Sequence, residues 1–91
     1  MPLKIVWSPL ARARLQENVA QDKPMAAERL AIRIVAVVEA LRNYPHLGRA
    51  GARPGIRELI IGGTPYIVLY RVHDQRIVIS NIRHGAQREE L

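Results

Sequence analysis

The residues best suited to chemistry lie near the C-terminus, where the sequence ISNIRHG covers residues 79–85. An apolar alternating segment, residues 77–82, delivers Arg83 and His84 side by side before Gly85. Histidine can transfer protons near neutral pH, and arginine binds phosphate or carboxylate through parallel hydrogen bonds. The pair is therefore either an acid–base group beside a phosphate-binding group at the rim of a sheet, or an ordinary polar end to a strand.

Other polar residues of the second half are candidates for binding. Glu58 and Arg71 share a face of the predicted sheet, and we interpret them first as a structural ion pair. Tyr66 and Tyr70 lie among valines and isoleucines, where tyrosines pack more often than they stack on nucleic-acid bases. A structural role is therefore the first interpretation of all four residues, and binding is the alternative.

Metal and cofactor chemistry is not expected. His46, His73 and His84 have no local ligand spacing, and the chain contains no cysteine. The glycine pair at residues 62–63 separates two strands and does not open a helix, as a phosphate-binding loop would. We therefore predict neither a metal nor a cofactor.

The charge distribution indicates a partner. The chain carries 14 basic and 8 acidic residues, a net charge of +6, and twelve of the basic residues are arginine. Residues 42–88 hold eight arginines against two acidic residues, a difference of +6. This pattern fits a nucleic-acid surface or an acidic protein partner, with a merely solvated basic face as the alternative.

Length and hydropathy limit the architecture. A chain of 91 residues has room for one domain, residues 1–91, which would bury about 60–65% of its unfolded surface. The longest aliphatic stretch, residues 34–38, is too short to cross a bilayer, and the start lacks a signal-peptide pattern. We expect a soluble cytoplasmic protein.

The elements that position these residues follow from periodicity and breaks. Residues 3–7 form a predicted strand, and Ser8 with Pro9 begins a helix that reaches about residue 20. A break at residues 21–24 precedes a second helix that extends to about residue 43. Its apolar stripe, at spacings of four, three and four, comprises Leu30, Ile34, Val37 and Leu41.

After a loop at residues 43–55 the periodicity changes to that of strands. Strands are predicted at residues 56–61, 66–73 and 76–84, with short turns that require antiparallel pairing. The predicted fold class is α+β: a short N-terminal strand, a helical hairpin, and a three-stranded antiparallel meander that forms one sheet with the helices on one face.

Closing both hairpins at these turns assigns side chains to faces. One predicted face collects Arg57, Leu59, Ile61, Tyr66, Val68, Tyr70, Val72, Ile77, Ile79, Asn81 and Arg83. The other collects Ile56, Glu58, Ile60, Ile67, Leu69, Arg71, Val78, Ser80, Ile82 and His84. Because helices can cover only one face, the other should keep aliphatic surface for a partner.

Three segments carry a resemblance to a known family: YPHLGR at residues 44–49, RELIIGGTPYIVLYRV at 57–72 and VISNIRHG at 78–85. Together they resemble the RelE/ParE superfamily of toxins from type II toxin–antitoxin modules, closer to the ParE branch. The resemblance covers essentially the whole chain in the right element order. It implies a growth-inhibiting toxin of a plasmid-stabilising module, held inactive in a hetero-oligomer by an antitoxin. The net charge of +6 and the uncovered apolar sheet face predict that this antitoxin is acidic and binds along residues 42–84.

The superfamily contains two chemistries. Its ribonuclease branch cleaves messenger RNA on the ribosome, and that similarity would make His84, Arg83 and Arg71 catalytic. This chain has Ile67 where that branch commonly has an arginine, and Gly85 where some members have a tyrosine. An isoleucine cannot stabilise the charge of a phosphoryl transition state, and Arg71 is four residues along the strand, about 13 Å away.

The gyrase-poisoning branch resembles this chain in the YIVLYRV strand and in a last strand that ends in histidine. On that interpretation, which we favour, the target- or antitoxin-binding residues are Arg57, Glu58, Tyr66, Tyr70, Arg71, Arg83 and His84. A third hypothesis is a module that keeps the fold and binds antitoxin without toxicity, since fold does not fix function.

Overall fold

The computed structural model describes residues 3–20 and 24–85. Its elements are β1 (Lys4–Trp7), α1 (Pro9–Ala20), α2 (Pro24–Glu39), a 3₁₀ turn (Ala40–Arg42), β2 (Arg49–Ala50), β3 (Arg57–Ile60), β4 (Tyr66–Val72) and β5 (Arg76–His84). Residues 21–23 of the predicted break at 21–24 lie outside the described residues, as does the acidic C-terminal end, and Pro24 begins α2. Elsewhere the predicted order of elements is confirmed.

The five strands form one mixed sheet in the order β1-β5-β4-β3-β2. The predicted antiparallel meander is β3-β4-β5, and β1 pairs in parallel with β5. A parallel pair needs a long crossover, which α1 and α2 provide between β1 and the rest of the sheet. The two-residue strand β2, inside the predicted loop, extends the sheet beyond β3.

Helix α1 begins where the sequence predicts. The Ser8 hydroxyl accepts a hydrogen bond from the Ala11 amide at 3.0 Å, which caps the helix. The same hydroxyl donates to the carbonyl of Ser80 in β5 at 2.9 Å. One side chain thus fixes both the start of the helix and the strand beneath it.

The core lies between the helices and one face of the sheet. Helix α2 and the 3₁₀ turn bury Ala27, Ile34, Val38 and Leu41, whereas the predicted stripe members Leu30 and Val37 are only partly buried. The buried stripe is therefore rotated slightly from the predicted one. The sheet contributes Leu59, Ile61, Tyr66, Val68, Tyr70, Ile77, Ile79 and Ile82.

The predicted pairing of β3 with β4 is confirmed, because Arg57 lies opposite Tyr70. The pairing of β4 with β5 follows the prediction only as far as Tyr70, which lies opposite Ile79. One residue further from the β4–β5 turn, Leu69 lies opposite Asn81. Ser80 is therefore an extra residue without a partner, which forms a β-bulge. Every side chain of β5 beyond the bulge is displaced to the opposite face from the one predicted.

Candidate functional site

The side of the sheet that faces away from the helices, called here the open sheet face, carries the candidate site. By strand register it comprises Lys4, Val6, Arg49, Glu58, Ile60, Ile67, Leu69, Arg71, Arg76, Val78, Asn81 and Arg83. Its exposed aliphatic side chains are Val6 and Ile60, at 38% and 52% exposure. It keeps less aliphatic surface than predicted, because Leu69 is buried and Ile82 lies in the core.

The bulge at Ser80 separates the two residues that the sequence places side by side. Arg83 lies opposite Ile67 on the open sheet face, while His84 lies opposite Tyr66 on the helix side. The predicted faces of residues 81–84 were therefore wrong. The core explains the difference, because strict alternation would bury Asn81, whereas the bulge buries Ile82 at 1% exposure.

Asn81 also completes the bulge chemically. Its side-chain oxygen accepts a hydrogen bond from the Ile82 amide at 2.8 Å. Backbone amides near a bulge need such local partners, because the ladder is interrupted there. An asparagine at a position predicted to be in the core is the sequence feature that could have indicated the bulge.

Glu58 is the centre of charge on the open sheet face. Its side chain is 9% exposed. Its Oε1 atom accepts a hydrogen bond from Nε of Arg49 at 3.2 Å and lies 3.2 Å from Nη2 of the same guanidinium group. Its second oxygen, Oε2, lies 3.5 Å from Nη2 of Arg83. Strands β2, β3 and β5 thus each supply one member of an Arg49–Glu58–Arg83 triad.

The predicted ion pair between Glu58 and Arg71 was wrong. Among the described residues the carboxylate pairs with Arg49 and Arg83. Arg49 lies next to Glu58 across the β2–β3 ladder, and the bulge turns Arg83 to the same face. The prediction missed Arg49 because nothing in the loop pattern indicated that this residue forms a strand.

Arg71 is exposed and lies beside a shallow cavity of about 230 Å³. The cavity is lined by Leu10, Arg53, Ile56, Leu69, Arg71, Ser80 and Asn81. Two guanidinium groups therefore border one depression on the open sheet face, next to the triad. Arg53 was not among the predicted site residues.

Tyr70 has a structural role. Its hydroxyl accepts a hydrogen bond from the Gly48 amide and donates to the Pro45 carbonyl, both at 2.8 Å. Arg57 donates to the Gly48 carbonyl at 2.8 Å. These bonds anchor the YPHLGR loop, and they position Arg49 for its contact with Glu58.

Gly48 makes this anchoring possible by close approach. A Cβ atom at this position would lie 2.7 Å from Cε1 of Tyr70 and 2.8 Å from the Glu58 carbonyl oxygen. No side chain fits in that space without a shift of the backbone. Burial raises the pKa of the Tyr70 hydroxyl, and the Gly48 hydrogen bond and the charge of Arg57 oppose that rise.

His84 and Tyr66 form an edge-to-face ring contact, with centroids 5.5 Å apart and an interplanar angle of 78°. Tyr66 is 5% exposed and belongs to the core. The candidate acid–base group therefore packs on the helix side, and the candidate phosphate-binding group lies on the other side of the sheet.

A second exposed apolar feature lies on α2. Met25, Ile32 and Val35 are 71%, 63% and 39% exposed. Within the described part of the chain, no helix has the length and apolarity to cross a membrane. The same residues contain no group of three or more His, Cys, Asp or Glu side chains arranged to hold a metal ion.

The helical pair on a mixed sheet matches solved structures from toxin–antitoxin systems. The structure matches the chromosomal ParDE toxin–antitoxin system of P. aeruginosa with a TM-score of 0.78 and 26% identity, covering 90% of this chain and 95% of that chain. It also matches the RelBE2 toxin–antitoxin complex of Mycobacterium tuberculosis with a TM-score of 0.65 and 26% identity, over 92% and 99% of the two chains.

Related toxins found by sequence have a higher identity to this chain than these two solved structures have. Toxin RelE2 of Caulobacter vibrioides is 36% identical over 87 residues, which cover 92% of this chain and 97% of the relative. Residues 5–89 match the family described as the ParE toxin of the type II toxin–antitoxin system parDE. The chain belongs to this family and is the toxin of a type II toxin–antitoxin module, as the resemblance implied.

Proposed function

We propose that this toxin inhibits growth in the cytoplasm by binding DNA gyrase, without cutting a bond itself. The observation that carries the proposal is the separation of Arg83 and His84 onto opposite sides of the sheet. A message ribonuclease needs a proton-transfer group and a phosphate-binding group around one scissile phosphate, within hydrogen-bond reach.

The surroundings of Arg83 support the same proposal. Its cross-strand neighbour is Ile67, which adds no charge, and its guanidinium already contacts Glu58 at 3.5 Å. The open sheet face thus carries one acidic and several basic groups around aliphatic side chains. Such a mixture is typical of protein-binding surfaces, in which charges give specificity and apolar groups give affinity.

The solved relatives are toxin–antitoxin systems, which supports an antitoxin as a partner of this chain. Relatives named RelE keep message cleavage as the competing hypothesis. A chain that binds antitoxin but has no toxicity is the third.

Two assays on the purified toxin separate these hypotheses. We expect inhibition of gyrase in a plasmid supercoiling assay, and no cleavage of ribosome-bound message by primer extension. Arg83→Ala and Arg71→Ala should each weaken gyrase inhibition, because both side chains lie on the open sheet face. Arg29→Ala, which removes the same charge from the exposed side of α2, is the matched control.

Two results of these assays would contradict the proposal. Message cleavage by the parent protein that falls by about 10²- to 10⁴-fold in His84→Ala would overturn the proposal in favour of a ribonuclease. Antitoxin binding without gyrase inhibition, message cleavage or growth arrest would indicate the non-toxic module.

A further inference from the structure

The position of Glu58 is unusual for an acidic residue on a basic protein. Its side chain is 9% exposed, and it lies between Arg49 at 62% and Arg83 at 17% exposure. Acidic side chains are rarely buried to this degree unless they are paired. Here the two partners come from different strands, so the carboxylate occupies the gap where two guanidinium groups converge.

Arg83 has hydrogen-bonding capacity that the triad does not use. Its Nε atom is buried and has no hydrogen-bond partner among the described residues. Its Nη2 atom reaches Glu58 only at 3.5 Å, the outer limit of a hydrogen bond. The Glu58 carboxylate therefore satisfies only part of the hydrogen-bonding capacity of the Arg83 guanidinium group. The planar donors of a guanidinium group bind phosphate as well as carboxylate.

We propose that Glu58 is an internal substitute for a phosphate group, and that it prevents the open sheet face from binding nucleic acid. Without its carboxylate, Arg49 and Arg83 would converge on one anion, and Arg53 and Arg71 would extend the basic surface along the sheet. A phosphate that approaches the parent protein must displace Glu58 or meet its charge. This inference goes beyond the proposed function, because it concerns what the toxin rejects and not what it inhibits.

The physical basis is charge balance at short range. Nucleic-acid affinity rises with each phosphate that an arginine neutralises, and the logarithm of the affinity falls linearly with the logarithm of the salt concentration. Glu58 neutralises one charge of the converging pair within the protein. Its removal should therefore increase both the affinity and the salt slope.

The test is the binding of a fluorescein-labelled single-stranded oligonucleotide, followed by fluorescence anisotropy at several NaCl concentrations. We expect Glu58→Gln to bind about tenfold more tightly than the parent at low salt and to increase the salt slope by about one. Glu39→Gln is the matched control. Glu39 pairs with Arg42 at the end of α2, so its replacement changes net charge equally and also releases an arginine, but away from the open sheet face.

A charge-conserving variant guards against a general charge effect and against misfolding. Glu58→Asp withdraws the carboxylate by one methylene group without altering net charge, and it should give a smaller gain in affinity. Adding Arg83→Ala to Glu58→Gln should abolish the gain. Circular dichroism would establish that each variant is folded.

The proposal fails if Glu58→Gln and Glu39→Gln increase affinity equally, or if neither Glu58→Gln nor Glu58→Asp increases it. The assay contains no gyrase, ribosome or antitoxin. Its failure is therefore distinguishable from a failure of the proposed function.

Discussion

The Tyr70 hydroxyl shows how one atom can set the geometry of a site that it does not belong to. It lies between the Gly48 amide and the Pro45 carbonyl, each 2.8 Å away, and it holds the loop that carries Arg49. The sequence predicted Tyr70 either as a packing residue or as a target- or antitoxin-binding residue. The structure gives it an anchoring role, which makes its contribution measurable as stability.

Tyr70→Phe should lower the free energy of unfolding by about 1–3 kcal/mol, because two backbone groups lose a partner in a largely buried environment. Urea unfolding at pH 7.5 measures the change. Tyr44→Phe is the control, since Tyr44 is 66% exposed and its replacement should have almost no effect. Equal changes in the two variants would contradict the anchoring role.

The stabilities of the parent protein and of Tyr70→Phe should depend differently on pH in the alkaline range. Burial raises the pKa of Tyr70 above its unfolded value of about 10, so the contribution of its proton to stability is full below that pH. That contribution is lost as the pH rises through the folded-state pKa. The stability difference between the parent and Tyr70→Phe should therefore narrow above about pH 10; a constant difference would rule out this linkage.

At the level of elements, the junction of β1, α1 and β5 depends on Ser8. Ser8→Ala removes the cap of α1 and the donor to the Ser80 carbonyl, and should cost about 1–2 kcal/mol. Chemical denaturation provides the measurement. Ser80→Ala is the matched control, because it keeps the carbonyl that Ser8 uses. A larger loss in Ser80→Ala than in Ser8→Ala would show that the serine side chain of β5 matters more than the cap.

The elements themselves were predictable because their features are local. The Ser8–Pro9 helix start, the α2 stripe and the short turns of the meander all act within a few residues. The parallel pairing of β1 with β5 depends on contacts distant in sequence, which no local pattern specifies. The two-residue strand β2 lies inside a loop without strand periodicity, so the sequence did not indicate it.

The candidate site was less predictable for a related reason. Arg71, Glu58 and Arg83 were correctly placed on strands, but their grouping depends on how many residues separate them from each turn. One extra residue at Ser80 brought Arg83 to the same face as Glu58 and moved His84 to the other side. Core packing decides that count, because Ile82 fills the core and Asn81 does not.

For the whole molecule, the net charge of +6 bears on how the antitoxin is captured. We expect an acidic antitoxin whose association rate falls by about tenfold as NaCl rises from roughly 0.05 to 0.5 M, since screening weakens electrostatic steering. Arg71→Ala should reduce this salt dependence more than Arg29→Ala does. Stopped-flow fluorescence with the labelled antitoxin measures both.

The exposed apolar residues of α2, which are Met25, Ile32 and Val35, are the alternative binding site for the antitoxin. If Ile32→Asp lowers antitoxin affinity while Arg71→Ala leaves it unchanged, the antitoxin binds the helices and not the basic sheet face. Loss in both variants would mean that one antitoxin spans the two surfaces.

The bulge at Ser80 has a consequence for comparing members of this family. In a strand, the surface on which a residue appears depends on an odd or even count from the turn, so inserting or deleting one residue exchanges two whole sets of side chains. A relative with the same number of residues between the turn and the Arg-His dipeptide, but without the bulge, would present histidine on the face where this toxin presents arginine. On this strand, two aligned residues can therefore be given the same function only if both proteins have the bulge at the same position.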